Sequence, residues 1–595
     1  RYIGGEVNCV MKNPSLVDIR FAMCFPDVYE IGMSHLGIQI LYDMFNRRDD
    51  VYCERVYSPW MDLDPIMREQ KIPLFAVESQ DPIKNFDFLG ITIQYEMCYT
   101  NILQVLELSQ IPLHAEDRTE EDPIVIGGGP CTYNPEPIAP FFDLFYMGEG
   151  EVVYYDLIDR YKEIKARGGS RQEFLEMAAQ IPGIYVPAFY DVSYKADGTI
   201  EAMIPNNPHA PQTVSKQLVM DMSDTWYPEK PVVPYLRATQ DRVVLEIMRG
   251  CIRGCRFCQA GMVYRPVRER SLEELKRLAR TMLKSTGHEE ISLSSLSSSD
   301  YTKLEGIVNF LIDEFDGKGV NVSLPSLRID AFSLDVMSKV QDVKKSSLTF
   351  APEAGSQRLR NVINKGLTEE NILNGSAEAF KGGWNRVKLY FMLGLPTETD
   401  EDVLGIAEVA SHVMHAWRES ASNKNRGVRI TVSTSWFVPK AHTAFQWEPQ
   451  IPKEEYERRV KLLRENMLTK SVTYNWHDSD TSYMEAVISR GDRRLCRVIE
   501  TAWRKGEHLS AWEEYFSLDR WLEAFEECGL DPHFYANRKR EKDELMPWAM
   551  ISSGVTEQYL WREHERCYQS VTTPDCRTHC NGCGANLLLG RPCDG

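Results

Sequence analysis

Arg249-Gly250-Cys251-Ile252-Arg253-Gly254-Cys255-Arg256-Phe257-Cys258 sets three cysteines at C-x3-C-x2-C spacing, directly after the apolar run 243–248. Three thiolates this close can hold three irons of a four-iron cluster and leave the fourth iron open. An open iron accepts an exogenous ligand, as the open position of a catalytic zinc does. A structural zinc or three core cysteines are the alternatives. Zinc wants a fourth ligand nearby, and no Cys or His lies between Cys258 and His288.

The totals narrow the class. At 595 residues the chain should hold several domains. A net charge of −19 argues against non-specific binding to nucleic acid or anionic membranes. Of the 15 cysteines, three sit in the loop above and five lie from Cys567 to Cys593. Such clustering suits metal ligation in a reducing, cytoplasmic compartment better than a disulfide framework. No signal-peptide pattern and no bilayer-length apolar run is visible. The chain begins at Arg1 rather than Met, so a short preceding segment is expected.

Upstream of the loop, residues 1–185 alternate strand and helix patterns, which indicates a doubly wound, Rossmann-like α/β sheet. Strands are expected within 18–30, at 73–77, 88–93, 124–126 and 143–147. The last two run into Gly127-Gly128-Gly129-Pro130 and Gly148-Glu149-Gly150-Glu151. Glycines at Gly128, Gly129, Gly148 and Gly150 would let backbone approach a ligand at the sheet edge. Residues 186–240 read as a linker with a hairpin turning at Asp197-Gly198. In 241–450, six strand candidates (243–248, 291–296, 321–327, 347–351, 386–393 and 428–437) alternate with helices. Six β/α units fit a partial barrel with its site at the strand C-termini. Ser271 and Glu274 form an expected capping box. The basic run Arg265, Arg268, Arg270, Lys276, Arg277 and Arg280 reads best as a helix face paired with Glu269, Glu273 and Glu274; a phosphate, RNA or acidic-donor surface is the alternative. Residues 451–565 read as helical. Residues 566–595 form a Cys-rich tail, where Cys576, Cys580 and Cys583 repeat the first spacing. That tail suits an auxiliary iron–sulfur cluster or zinc, with His579, Cys567 or Cys593 as a fourth ligand.

Together RYIGGE (1–6), GGGP (127–130), GEGE (148–151), RGCIRGCRFC (249–258), APEAG (351–355), GLPTETDED (394–402), FVPK (437–440) and the tail cysteines resemble a bacterial family of B12-binding-domain radical S-adenosylmethionine (SAM) proteins. The resemblance spans nearly the whole chain. It implies a cobalamin-binding-type N-terminal domain, a radical SAM core and a 4Fe-4S cluster on Cys251, Cys255 and Cys258. There SAM is cleaved to a 5′-deoxyadenosyl radical. It also implies Glu353 on the SAM ribose, Phe257 and Gly394 beside the adenine, and Ser295, Ser326 and Arg328 as SAM or substrate contacts. The segment 294–300 departs from the family's Gly-Gly-Glu-like turn, and serine hydroxyls could accept the methionyl ammonium there. The common D-x-H-x-x-G cobalt-ligand motif is missing, since His35 lies in Met33-Ser34-His35-Leu36-Gly37; a helix N-terminal role is the alternative. The implied outcome is methyl transfer if cobalamin binds, or sulfur insertion, rearrangement or oxidation if it does not. An iron–sulfur redox or binding module without catalysis is a further alternative. An electron donor such as flavodoxin or ferredoxin, and a substrate that is RNA or protein, are the expected partners.

Overall fold

The computed structural model describes residues 1–323, 347–425, 427–467, 469–591 and 593. The N-terminal sheet consists of β1 (Ile19–Phe25), β2 (Val51–Tyr57), β3 (Phe88–Thr92), β4 (Ile124–Gly128), β5 (Leu144–Tyr146) and β6 (Ile184–Tyr185). The strands lie in the order β2-β1-β3-β4-β5-β6, parallel throughout except for β6. This is a doubly wound order that reverses between β1 and β3, and ligand crevices open beyond the strand carboxyl ends at such a point.

β2 escapes a reading by apolar pattern because Glu54 and Arg55 interrupt VYCERVY. Both are buried and paired. Glu54 meets Arg20 at 2.5 Å, and Arg55 meets Glu6 at 2.7 Å and Glu78 at 2.6 Å. The strand expected at 73–77 is instead an irregular segment. It makes one isolated bridge, Phe75 to Pro82, and Val77 N–H bonds to the Arg55 carbonyl at 2.9 Å.

β7 (Tyr190–Tyr194) and β8 (Ile200–Pro205) form the expected hairpin, and Asp197 Oδ1 accepts the Thr199 N–H in its turn at 2.9 Å. β9 (Val214–Ser215) follows in the strap. The core then runs through β10 (Val243–Glu246), β11 (Met248–Arg249), β12 (Arg268–Glu269), β13 (Glu290–Ser294) and β14 (Asn321–Ser323). β10, β13 and β14 form a parallel sheet, while β11 and β12 pair antiparallel and close the cysteine loop at its base. β15 (Leu348–Glu353), β16 (Arg386–Leu393), β17 (Arg429–Trp436) and β18 (Val472–Trp476) form a second parallel sheet. Helices follow β10, β13, β15, β16 and β17, the β/α repeat expected of the core. The two sheets do not join into a closed ring among the described residues.

Three expectations change. Among the described residues the two parallel sheets of the core hold seven strands rather than the six expected, because β18 lies inside the region read as helical. VTYNW is a half-exposed edge without an apolar face, so its pattern is silent. The strand expected at 321–327 is described only to Ser323, and Ser326 and Arg328 lie outside the described residues. Ser271 caps its helix through Glu274 N–H, but no box forms: Glu274 pairs with Arg277 and the Ser271 N–H goes to Ser223 Oγ at 2.8 Å. True boxes stand at Thr368/Asn371 and Thr399/Asp402.

The C-terminal helices share one apolar core with the N-terminal sheet, from Ile19 through Trp521 to Ile551. Arg493 pairs with Glu136 at 2.8 Å, and Trp512 Nε1 donates to Asp27 Oδ1 at 2.9 Å. β19 (Ile551–Ser552) pairs with β9, zipping the strap to the tail. No helix among the described residues is long and apolar enough to cross a membrane.

Candidate active site

The cysteine loop leaves the first core strand through Gly250. A Cβ there would lie 2.7 Å from the Pro266 carbonyl oxygen and 2.8 Å from that of Tyr264, so the tight base of the loop requires glycine. Cys251, Cys255 and Cys258 are half-buried and within electrostatic reach of one another. Cys251 Sγ accepts the Arg253 N–H at 3.4 Å, and Cys258 Sγ accepts the Gly261 N–H at 3.3 Å. Burial pushes Cys251 up to about 12 and Cys258 up to about 11. They would therefore be thiolates only with a cation at hand. Soft sulfur donors on one loop, two of them receiving amide N–H bonds, are the donor chemistry that iron–sulfur clusters use. Among the described residues no group of three or more His, Cys, Asp or Glu is gathered to hold a single metal ion.

Protein contacts hold the loop from outside. Arg256 is fully buried and donates to the carbonyls of Val362 (2.8 Å) and Val571 (2.7 Å) and to Glu563 (3.1 Å). Phe257 packs against the apolar cluster of Ala354, Leu359, Leu395 and Phe437. It thus touches the loops after β15 and β16, the side the family resemblance assigns to adenine. Glu353 ends β15 at φ +67° after a bulge, and its Oε1 lies 3.1 Å from Lys365 Nζ. Both charges act on Cys258. A non-glycine residue held in the left-handed region is the sort of strain that clusters at working sites. Gly394 N–H donates to Glu398 Oε1 at 2.8 Å; burial pushes Glu398 up to about 7 against the pull of Gly394 N–H and Arg459. Ser295 Oγ bonds Ser298 Oγ at 3.0 Å in the turn after β13.

A cleft of about 390 Å³ opens between the N-terminal sheet and the core. It falls within the roughly 300–1,000 Å³ of common small-molecule pockets. Loops at the carboxyl ends of β1, β3, β4 and β5 supply one wall, including His35, Gln94 and Gly129. Met248, Arg249, Tyr264 and Ser295 supply the other. The cysteine loop thus starts at the floor of the cleft.

The glycines of that wall are also tightly packed. Gly148 lines the cleft. Its φ is +124° and a Cβ would stand 2.0 Å from the Gln217 carbonyl oxygen, so the strap itself fills the space. Gly129 and Gly150 line the cleft, yet Ile93 backbone and Leu41 occupy their Cβ directions, and Gly128 sits in the ladder opposite Thr92. At Gly129 and Gly150 bareness serves protein packing, whereas a Cβ at Gly128 would meet only the Tyr154 hydroxyl at an ordinary 3.6 Å. The glutamates of GEGE clamp the two domains instead. Glu149 meets Arg268 at 2.7 Å and Arg249 at 3.3 Å, and Glu151 meets Arg249 at 2.6 Å. Burial raises Glu149, but Arg249 and Arg268 hold it below the ordinary carboxylate range.

His35 is the N-cap of the helix Leu36–Asn46. Its Nδ1 accepts the Ile38 N–H at 3.2 Å, and burial, opposed by Gln94, lowers the ring to about 4. This is the helix N-terminal place that the sequence offered as the alternative to a cobalt ligand. His35→Ala should cost about 0.5–2 kcal/mol in a thermal melt, and His35→Asn should restore most of it.

Most of the basic run is paired. Arg268 meets Glu149 and Arg270 meets Glu246, Lys276, Arg277 and Arg280 meet Glu273, Glu274 and Glu314, and Arg265 is buried against backbone carbonyls. Cys567 is corrected as a tail ligand. It is fully buried in the apolar cluster that holds Phe257, whereas Cys576, Cys580, Cys583 and Cys593 act on one another. Two groups leave little trace in sequence. Lys365 is a plain loop lysine. Lys440, from FVPK, is half-buried between Glu96 and Glu485, both at 2.8 Å, and joins the core to the N-terminal domain.

A family model described as radical SAM proteins, N-terminal, matches residues 37–187, and the radical SAM superfamily model matches residues 245–410. The uncharacterised protein MJ0966 of Methanocaldococcus jannaschii is 29% identical over 86% of this chain and 97% of its own length. PH0819 of Pyrococcus horikoshii, named as an uncharacterised methyltransferase, is 24% identical over 54% of this chain and 63% of its own. Among solved structures, the radical SAM methyltransferase TsrM from Kitasatospora setae, with cobalamin and a 4Fe-4S cluster bound, aligns over 70% of this chain and 75% of that chain. The identity there is 12% and the TM-score 0.45. With its N-terminal and core regions both matched, and a three-cysteine loop at the end of the first core strand, this chain belongs to the radical SAM superfamily and is an enzyme of that class.

Proposed function

We propose that the chain is a cobalamin-dependent radical SAM methyltransferase, with the corrin in the interdomain cleft. The observation that carries this reading is the cleft itself. It is of about 390 Å³, walled on one side by the carboxyl edge of a doubly wound sheet and on the other by the root of the cysteine loop. When bound, a 4Fe-4S cluster supplies the electron that cleaves SAM, and cobalamin supplies a transferable methyl group.

The chain's own residues do the rest. Cys251, Cys255 and Cys258 hold iron, and the N–H groups of Arg253 and Gly261 carry part of the thiolate charge. Lys365 fixes Glu353 beside Cys258, a carboxylate placed to accept hydroxyl hydrogen bonds. Ser295 presents a hydroxyl on the cleft side. His35 caps the helix at the cleft wall through Nδ1 and would hold that wall in place when a corrin binds. The superfamily needs a reductant, and a low-potential protein of the flavodoxin or ferredoxin type fits that need.

Chain purified with excess hydroxocobalamin should retain about one corrin per chain, read from its visible absorption after gel filtration. Absence of bound corrin at saturating supply would sink the methyltransferase reading. SAM cleavage without corrin would then point to sulfur insertion, rearrangement or oxidation.

A further inference from the structure

We propose that Cys576, Cys580, Cys583 and Cys593 hold a second iron–sulfur cluster, seated against the loop of Cys251 and charge-balanced by the buried guanidinium of Arg265.

The two cysteine loops touch. Cys576 N–H donates to the Ile252 carbonyl at 3.1 Å, one residue from Cys251. Asp575 pairs with Arg253 at 3.2 Å. Asn364 Nδ2 donates to the carbonyls of Gly254 (3.0 Å) and Thr573 (3.1 Å), stitching both loops to one side chain. Asp575 Oδ1 also accepts the N–H groups of Arg577 (3.1 Å) and Thr578 (3.0 Å), which turns the tail back on itself. The three thiols of that turn and Cys593 lie within one another's electrostatic reach.

The second, independent observation is an unsatisfied cation. Arg265 is 3% exposed, and its Nη1 has no hydrogen-bond partner. Its other bonds go to carbonyls, Gly261 O at 3.0 Å and Arg253 O. Beyond Tyr559, the groups that act on it are Cys576 and Cys583. Lys216 is likewise 3% exposed and is bonded to the carbonyls of Val263 (2.7 Å) and Arg265; among acidic groups Glu149 acts on it first and Cys583 after it, so Arg265 is the cation short of an anion. Buried cations left without an anion are strongly disfavoured. Neutral thiols cannot supply the charge, whereas thiolates on a metal centre can. Spacing then chooses the centre. Structural zinc sites draw ligands as separated pairs. Three thiols within eight residues, Cys576 to Cys583, match the dense runs of cluster proteins and repeat the first loop's own C-x3-C-x2-C.

Cys580 is exposed while Cys576 and Cys583 are half-buried, so the centre has a solvent side and a side toward Cys251. A reduced donor of the ferredoxin or flavodoxin class would give up one electron there, and the tail centre would be lowered by one oxidation state as the donor is oxidised by one.

Anaerobic iron–sulfide reconstitution of the full chain tests this. About eight irons per chain are expected. Cys251→Ala/Cys255→Ala/Cys258→Ala should keep about four, with a reduced-cluster paramagnetic resonance signal of its own. In that background Cys593→Ala should lose tail iron and Cys567→Ala should not, and Arg265→Gln should lower the midpoint potential of the remaining signal. The loop-deleted background makes the readout independent of SAM chemistry. Iron absent from that variant, or one zinc per chain that survives reconstitution, overturns the assignment.

Discussion

Cys255→Ala should abolish anaerobic 5′-deoxyadenosine formation from SAM and dithionite, a loss of about 10³-fold or more, as when one member of a catalytic unit is removed. Cys255 is the best of the three to change. Cys258 also caps the helix Gln259–Val263 through its Sγ, and Cys251 bonds the Arg253 N–H, so those substitutions disturb the backbone too. The loop around Cys255 is held by Arg256 on Glu563 and by Asn364 on Gly254, none of which needs the thiol. Secondary structure and melting temperature should therefore stay near those of the parent. Cleavage that persists in the variant would remove Cys255 from the iron-binding set.

The largest stability effect is expected at Glu149. Glu149→Ala should destabilise the chain by about 3–5 kcal/mol in urea unfolding, the usual cost of leaving a buried charge unpaired. Arg268 is 6% exposed at its side chain, and Glu149 is its one carboxylate partner among the described residues. Glu149 also accepts the Val219 N–H at 2.6 Å, so the strap loosens with it. Arg249 suffers less because Glu246 and Glu151 remain. A second change, Arg268→Met, should recover part of the loss, which a double-mutant cycle measures. The arginines hold the Glu149 carboxyl below its ordinary 4.5. Its contribution is thus complete above that value and disappears as pH falls through the folded-state value. A Glu149→Ala variant with an unchanged urea midpoint would refute the clamp.

Sequence patterns reached the doubly wound sheet and the β/α repeat because Ile124–Gly128 and Arg386–Leu393 carry strong apolar or alternating runs into glycine turns. They missed β2 and β18 for opposite reasons. β2 is fully buried yet carries an ion pair at its centre, while β18 is too exposed to show a pattern. The cysteine loop was legible since its chemistry is local. Lys365, Lys440 and Arg265 were not, because each acquires meaning only from residues that the fold brings from elsewhere. The GEGE segment shows the risk in the other direction. Its glycines and glutamates looked like a ligand loop, and contacts to Gln217, Arg249 and Arg268 reveal a joint between domains.

The Arg253–Asp575 contact joins positions 322 residues apart, and Val571, Thr573 and Cys576 close on the same loop. Chains fold from the N-terminus during synthesis. The segment containing Cys251 therefore emerges from the ribosome long before the strand of chain that covers it. Until that covering segment arrives, Arg256 has no Val571 or Glu563 to bind, and the cysteine loop lacks its outer support. The shape of the loop is therefore completed only by residues made long after it.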